Sequence, residues 1–136
     1  MEISIRAIDW NNDKEYRQFD DSFLATSKLV LRVENNKITY TIAEIPPFTK
    51  QYGGKRVADY MTYDNYPNRN LFFAYVDDEV AGQIQVDRHW NNYALIDDFG
   101  VDSKYRRRGI GRALMDRALA WAKEKGWTGA FLETQD

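Results

Sequence analysis

Residues 111–125, GRALMDRALAWAKEK, carry the one strong helical period in this chain. Leu114, Ala118, Trp121 and Ala122 recur near 3.6-residue spacing, backed by Ile110, which predicts an amphipathic helix with one buried face. Lys123 and Lys125 suit its C-terminal end, and Gly126 is a natural residue to stop it. The other apolar runs are β-rich, so the chain reads as mixed α/β.

Those runs fall in a legible order. ISIRAI (3–8) alternates as a first strand, and residues 9–23 read as a turn with one or two short helical turns. KLVLRV (28–33) and KITYTIAEI (37–45) flank Glu34-Asn35-Asn36, a hairpin signal, and Pro46-Pro47 is expected to end that pair. A short helix is expected near 55–63, stopping before Pro67. LFFAYV (71–76) and VAGQIQV (80–86) form a second hairpin across Asp77-Asp78-Glu79. After a turn at Asn91-Asn92, YALIDDFGV (93–101) is a further strand, and TGAFLET (128–134) begins a last one.

At 136 residues the chain is one domain by length, and its formal charge of −2 argues against nucleic acid as a main partner. Without cysteine it has no disulfide, thiolate nucleophile or sulfur-ligated metal. One histidine and no spaced carboxylate cluster give no reason to expect a metal at all. MEISIRAIDW is too polar for a signal peptide, and LFFAYV is far too short to span a membrane. The expectation is a cytoplasmic domain without a membrane partner.

Positive charge is nevertheless concentrated at one point, YRRRGIGRAL (105–114), where the helix starts. Gly109 and Gly111 would let backbone approach a ligand closely, and the first-turn N–H groups of the helix would point at it. Arg106, Arg107, Arg108 and Arg112 would surround that place with charge, which suits a phosphate or diphosphate. The bland alternative is a tight turn with solvated arginines. Neither familiar nucleotide loop is present: Gly54-Lys55 is followed by Arg56 with no glycine at 49, and GxGxxG fails because residue 114 is leucine.

VDSKYRRRGIGRALMDRALAWAKEKG resembles the acetyl-CoA-binding segment of the GCN5-related N-acetyltransferases, with the signature [QR]xxGx[GA] appearing as Arg106-x-x-Gly109-x-Gly111. The order of elements resembles that family as well. The resemblance implies its α/β (α+β) fold, a mixed, mostly antiparallel sheet with flanking helices. It implies a single domain over 1–136, expected to be incomplete at its C-terminus, since the family continues past the strand at 128–134. It further implies that N–H groups from Arg107 through Arg108, Gly109, Ile110 and Gly111 to Arg112 hold the CoA pyrophosphate. The strand edge at Phe99, Gly100 and Val101 would pair with the pantetheine arm. FFAYVDDEVAGQIQV, WNNYALIDDFGV and LETQD resemble, more narrowly, the streptothricin acetyltransferases. Asp97 stands where that group commonly has glutamate.

An amine that arrives protonated needs a base before it can attack a thioester. Asp97 and Asp98 are the candidates; as strand neighbours their side chains are expected on opposite faces. Asp98, which shares parity with Gly100, is expected to face the cleft. Glu133 is a third candidate, near the end of a strand expected beside 93–101. His89 reads as a surface or packing residue. Glu44, Asp59, Asp64, Asp97 and Asp98, with aromatics such as Tyr52, Tyr60, Tyr63, Tyr66, Trp90 and Tyr93, would form a diffuse wall for a cationic substrate.

The function so implied is acetyl transfer from acetyl-CoA, as cosubstrate, to a primary amine, that of streptothricin first. Aminoglycosides, polyamines and protein amines are the other acceptors. A CoA-binding module without turnover and a structural domain stay open as rivals, and so does a homodimer.

Overall fold

In the computed structural model, which describes residues 2–51 and 58–134, a five-stranded sheet is covered on one face by the long helix. Its strands are β1 (Ile3–Ala7), β4 (Arg69–Val76), β5 (Glu79–Arg88), β6 (Ala94–Val101) and β7 (Ala130–Phe131), in the order β1-β4-β5-β6-β7. β2 (Phe23–Glu34) and β3 (Lys37–Lys50) form a separate two-stranded ribbon. The helices are α1, a single turn at Met61–Asp64, and α2 (Ile110–Glu124). All pairings in the large sheet are antiparallel except β6 with β7. The expected α/β fold with a mostly antiparallel sheet is therefore the fold observed. Among the described residues no helix is long and apolar enough to cross a membrane.

α2 buries Ile110, Leu114, Ala118 and Ala122, spaced four apart, against Phe72, Ile84 and Val86 of the sheet. The two alanines leave room for close helix–sheet approach. Its end is a complete Schellman motif: Gly126, at φ 78°, donates to Lys123 O, and Trp127 N donates to Ala122 O. Trp127 meets Trp121 edge to face at 5.1 Å, the apolar contact that accompanies such ends. β4 is buried on both faces from Leu71 to Val76. Phe72, Ala74 and Val76 face α2, whereas Leu71, Phe73 and Tyr75 pack with Ile8 and Tyr63 on the opposite face.

Both predicted hairpin turns have two residues in the left-handed region, Asn35-Asn36 and Asp77-Asp78, as the twist of tight hairpins requires. Three expectations are corrected. Pro46-Pro47 do not end the ribbon: pairing shifts between Ser27–Glu44 and Ala25–Phe48, and that irregularity takes in both prolines, which have no N–H to give a ladder. The helix expected near 55–63 is one turn at Met61–Asp64 in its described part, with 52–57 outside the described residues. The last strand is two residues long, in register Ala94–Ala130 and Leu95–Phe131.

Gly82 on β5 marks the tightest approach to β6. A Cβ there would lie 2.6 Å from Gly100 O and 3.2 Å from the Val101 Cα. Backbone on both counts cannot swing aside, so Gly82→Ala is expected to destabilise the domain by about 1–3 kcal/mol. A thermal melt beside the unmodified chain measures it; an unchanged Tm would contradict the packing described.

Candidate active site

β6 carries both candidate aspartates, and one irregularity decides how they face. Gln85 pairs with Asp98 and Val86 with Ile96, so Asp97 is an extra residue in the ladder, a β-bulge. The bulge cancels the alternation expected of neighbours. Ile96 packs with the α2 core, while Asp97 and Asp98 both turn to the opposite face and line one open cleft of about 800 Å³. The expected opposite orientation of the two aspartates is thus corrected.

Each aspartate has its own glutamine. Gln83 and Gln85, both buried, stand two apart on β5 and so share a face. Gln83 Nε2 donates to Asp98 Oδ2 at 2.6 Å, and Gln85 Nε2 donates to Asp97 Oδ2 at 3.2 Å. The two pairs then diverge in charge. Asp98 is also ion-paired to Arg17, whose guanidinium bridges to Asp21, and Arg17 N donates to Gln83 Oε1 at 2.7 Å. Its negative charge is met by a cation in a largely buried setting. Among the described residues Asp97 makes no ion pair: burial raises its pKa first, and the neighbouring Asp87 raises it further, against a smaller opposing pull from Arg69. Asp87 itself is held by Arg69 at 2.7 Å, and Gln85 is held by the buried Tyr63 hydroxyl at 3.1 Å.

The segment after β1 supplies the far wall. Asp20 binds the turn before α2, accepting from Ser103 Oγ at 2.8 Å, while Asp20 N donates to Asp102 Oδ2 at 3.2 Å. This lacing carries Tyr16, Arg17, Asp21 and Phe23 to the cleft. Leu132, Glu133 and Thr134 close it from the end of β7. The carboxylates gathered there are Asp21, Asp97, Asp98 and Glu133. Glu44 lies on the ribbon, and Asp59 and Asp64 sit at α1, where Asp59 accepts from Met61 N at 2.9 Å. The diffuse wall expected from sequence is therefore a smaller, different set. His89 packs edge to face on Phe131 at 5.0 Å, outside the cleft. Tyr52 lies outside the described residues.

Along its outer edge β6 pairs with β7 only at Ala94 and Leu95, which leaves residues 97–101 without a ladder partner on that side among the described residues. That edge leads to the start of α2. Gly109 is the N-cap at φ 85°, and the first helical bond runs from Ala113 N to Gly109 O at 3.0 Å, so Ile110, Gly111 and Arg112 have N–H groups that no helical carbonyl can reach. Arg107 also adopts the left-handed region, at φ 64°, so the backbone turns sharply twice on entering the helix. Arg106 differs from its neighbours: it lines the cleft, and its Nε donates to Val101 O at 3.1 Å. Bare N–H groups, a positive helix end and an open strand edge fit an extended ligand with an anionic diphosphate at one end. Phe99, Gly100 and Val101 line the cleft on the way there.

Arg17, Asp21, Gln83 and Gln85 were not among the residues singled out from sequence. A signal existed for the glutamines: VAGQIQV has amides at two positions of one face in an otherwise apolar strand, and buried amides require partners. Arg17 had none, because its partners Gln83 and Asp98 lie 66 and 81 positions away, and Asp21 enters the site through its pair with Arg17.

With this geometry in hand, comparison with known proteins is informative. The family model for the acetyltransferase (GNAT) family matches residues 37–136. Streptothricin acetyltransferase A of Bacillus subtilis is 33% identical over 126 residues, covering 92% of this chain and 72% of its own length. A streptothricin acetyltransferase of Escherichia coli is 31% identical over 116 residues, covering 85% of this chain; this chain spans 63% of that relative's length. Among solved structures, a Bacillus anthracis protein described as a streptothricin acetyltransferase, in complex with acetyl coenzyme A, is 36% identical. It superposes with a TM-score of 0.81 over 98% of this chain and 75% of its own.

Proposed function

The chain belongs to the acetyltransferase (GNAT) family, and from that premise we propose that it transfers the acetyl group of acetyl-CoA to a primary amine of streptothricin. The observation that carries the reading is one continuous path. It runs from the bare N–H groups of α2, along the open edge of β6, to a cleft whose carboxylates face a substrate cation.

The backbone from Arg107 to Arg112 takes the diphosphate, and Phe99, Gly100 and Val101 guide the arm that bears the thioester. The substrate ammonium enters among Asp21, Asp97, Asp98 and Glu133. Asp97 takes its proton, directly or through one water. The freed nitrogen lone pair forms the C–N bond while the carbonyl electrons move to oxygen. As they return, the C–S bond breaks, the thiolate leaves with its electron pair, and the amide nitrogen gives up its remaining extra proton. The products are the acetamide, CoA thiol and one proton. The catalytic power lies in positioning and in holding charge. Asp98, neutralised by Arg17, sets the shape of the site and does not take the proton. Glu133 contributes charge at the entrance.

The assay is CoA thiol release by this chain with acetyl-CoA and streptothricin, against a blank without acceptor and a panel of aminoglycosides and polyamines. Release that depends on streptothricin and exceeds the panel is expected. Equal rates across the panel would overturn the acceptor assignment, and no release with any amine would overturn turnover by this chain.

A further inference from the structure

Gln85 joins two carboxylates. Its amide nitrogen donates to Asp97 Oδ2 at 3.2 Å and to Asp87 Oδ2 at 3.1 Å, so both of its N–H bonds are used. Its oxygen accepts from the Tyr63 hydroxyl at 3.1 Å, and burial raises the pKa of that hydroxyl, which keeps it a donor. The reverse amide orientation would set an oxygen against two carboxylates, so this one is fixed. Asp87 gives its other oxygen to Arg69 Nε at 2.7 Å, and Arg69 stands directly across the ladder on β4. Gln83, Gln85 and Asp87 share one face of β5, and the bulge in β6 turns Asp97 toward it. Neither Asp87 nor Arg69 lines the cleft.

We propose that Asp87 is a positioning residue for Asp97: with Gln85 and Arg69 it fixes that carboxylate at the cleft and receives the hydrogen bond of its protonated form. This rests on the reading of Asp97 as the base. When Asp97 takes a proton from the substrate ammonium, the N–H bond breaks, its electron pair stays on nitrogen, and an O–H bond forms. That O–H lies beside a carboxylate which Arg69 keeps ionised, and a hydrogen bond to a charged acceptor is a strong one. Asp87 therefore makes Asp97 a better base without touching substrate. The other charged groups around Asp97 have different parts. Asp98, next to it on β6, is ion-paired to Arg17, which also meets Asp21. Tyr16 and Glu133 face the same cleft, and Tyr63 of α1 reaches it only through Gln85. Arg69 opposes Asp87: the cation favours an ionised Asp97, and the carboxylate favours a protonated one.

That opposition supplies the test. The acid limb of kcat/KM is expected to move to lower pH in Asp87→Asn and to higher pH in Arg69→Gln, with Asp87→Glu restoring the unmodified profile. At pH 7, kcat of Asp87→Asn should fall by roughly 3–10-fold with KM unchanged, a part of what a positioned base contributes. A merely structural role would not move the two limbs in opposite directions. NMR titration of the Asp87 and Asp97 carboxyl carbons needs no turnover: in the unmodified chain each is expected to sense the other's protonation. Limbs that stay in place or move together overturn the proposal and leave Asp97 as the base. So do two carboxyls that titrate independently. An acid limb that persists in Asp97→Asn overturns the reading of the base, and the proposal with it. If a variant fails to fold, as judged by far-UV circular dichroism, the titration of the unmodified chain decides alone.

Discussion

Asp97→Asn is expected to lower kcat/KM for acetyl transfer at pH 7 by roughly 10²-fold or more, the contribution of a positioned general base. The amide keeps the shape and can still pair with Gln85, so the fold and acetyl-CoA binding stay as they were. The pH profile gives a sharper reading. Burial and Asp87 raise the Asp97 pKa above the ordinary carboxylate value of 3.8. On the proposed reading the working form is the carboxylate, so activity is expected to fall on acidification through that raised value, at higher pH than an unperturbed aspartate would give. In the asparagine variant this acid limb disappears. Asp98→Asn behaves differently. It removes the Asp98 charge from the largely buried Arg17, and is expected to destabilise the domain by about 1–3 kcal/mol while the acid limb persists. An Asp98 variant that loses the limb, with Asp97→Asn retaining it, would reverse the assignment of the base.

Gly111→Asp separates the ligand from the fold. A Cβ at Gly111 meets only the Phe99 ring at 3.5 Å and a Val101 methyl at 3.7 Å, so a side chain fits without displacing anything. A carboxylate in the first turn suits the helix dipole, worth about 0.3–1 kcal/mol, so the Tm should hold or rise slightly. The same carboxylate occupies the N–H groups a diphosphate would use and repels it. Acetyl-CoA affinity, measured by calorimetry, is expected to fall about 100-fold or more. Gly111→Ala, which brings size without charge, should cost much less. Normal binding by the aspartate variant would mean that the cosubstrate does not lie on the start of α2.

Local chemistry was readable in the chain wherever a few neighbouring residues decide the outcome. The period of residues 111–125 marked α2 and its glycine stop. Asn35-Asn36 and Asp77-Asp78 marked two tight turns, because the left-handed backbone they need is tolerated by few residue types. The Arg106-x-x-Gly109-x-Gly111 pattern marked a strand-to-helix passage with bare N–H groups, and resemblance to a known family rested on it. The misreadings share one cause. Pro46-Pro47 looked like a stop because a proline cannot donate to a ladder, yet a shift in the pairing with β2 takes them in. Asp97 and Asp98 looked like opposite faces because strands alternate, yet the partner strand β5 imposes a bulge. In both, the deciding residues lie on another strand.

By itself, then, the order of residues determined the helix, the turns, the run of strands and the glycine-flanked entry to α2, all set by interactions within a few positions of one another. Which aspartate is met by a guanidinium and which has its pKa raised was decided only by tertiary structure. Arg17 reaches Asp98 across 81 positions of sequence, and Gln85 reaches Asp97 from a neighbouring strand. Two carboxylates adjacent in the chain have the same intrinsic acidity. Burial beside Asp87 raises one, and a guanidinium meets the charge of the other.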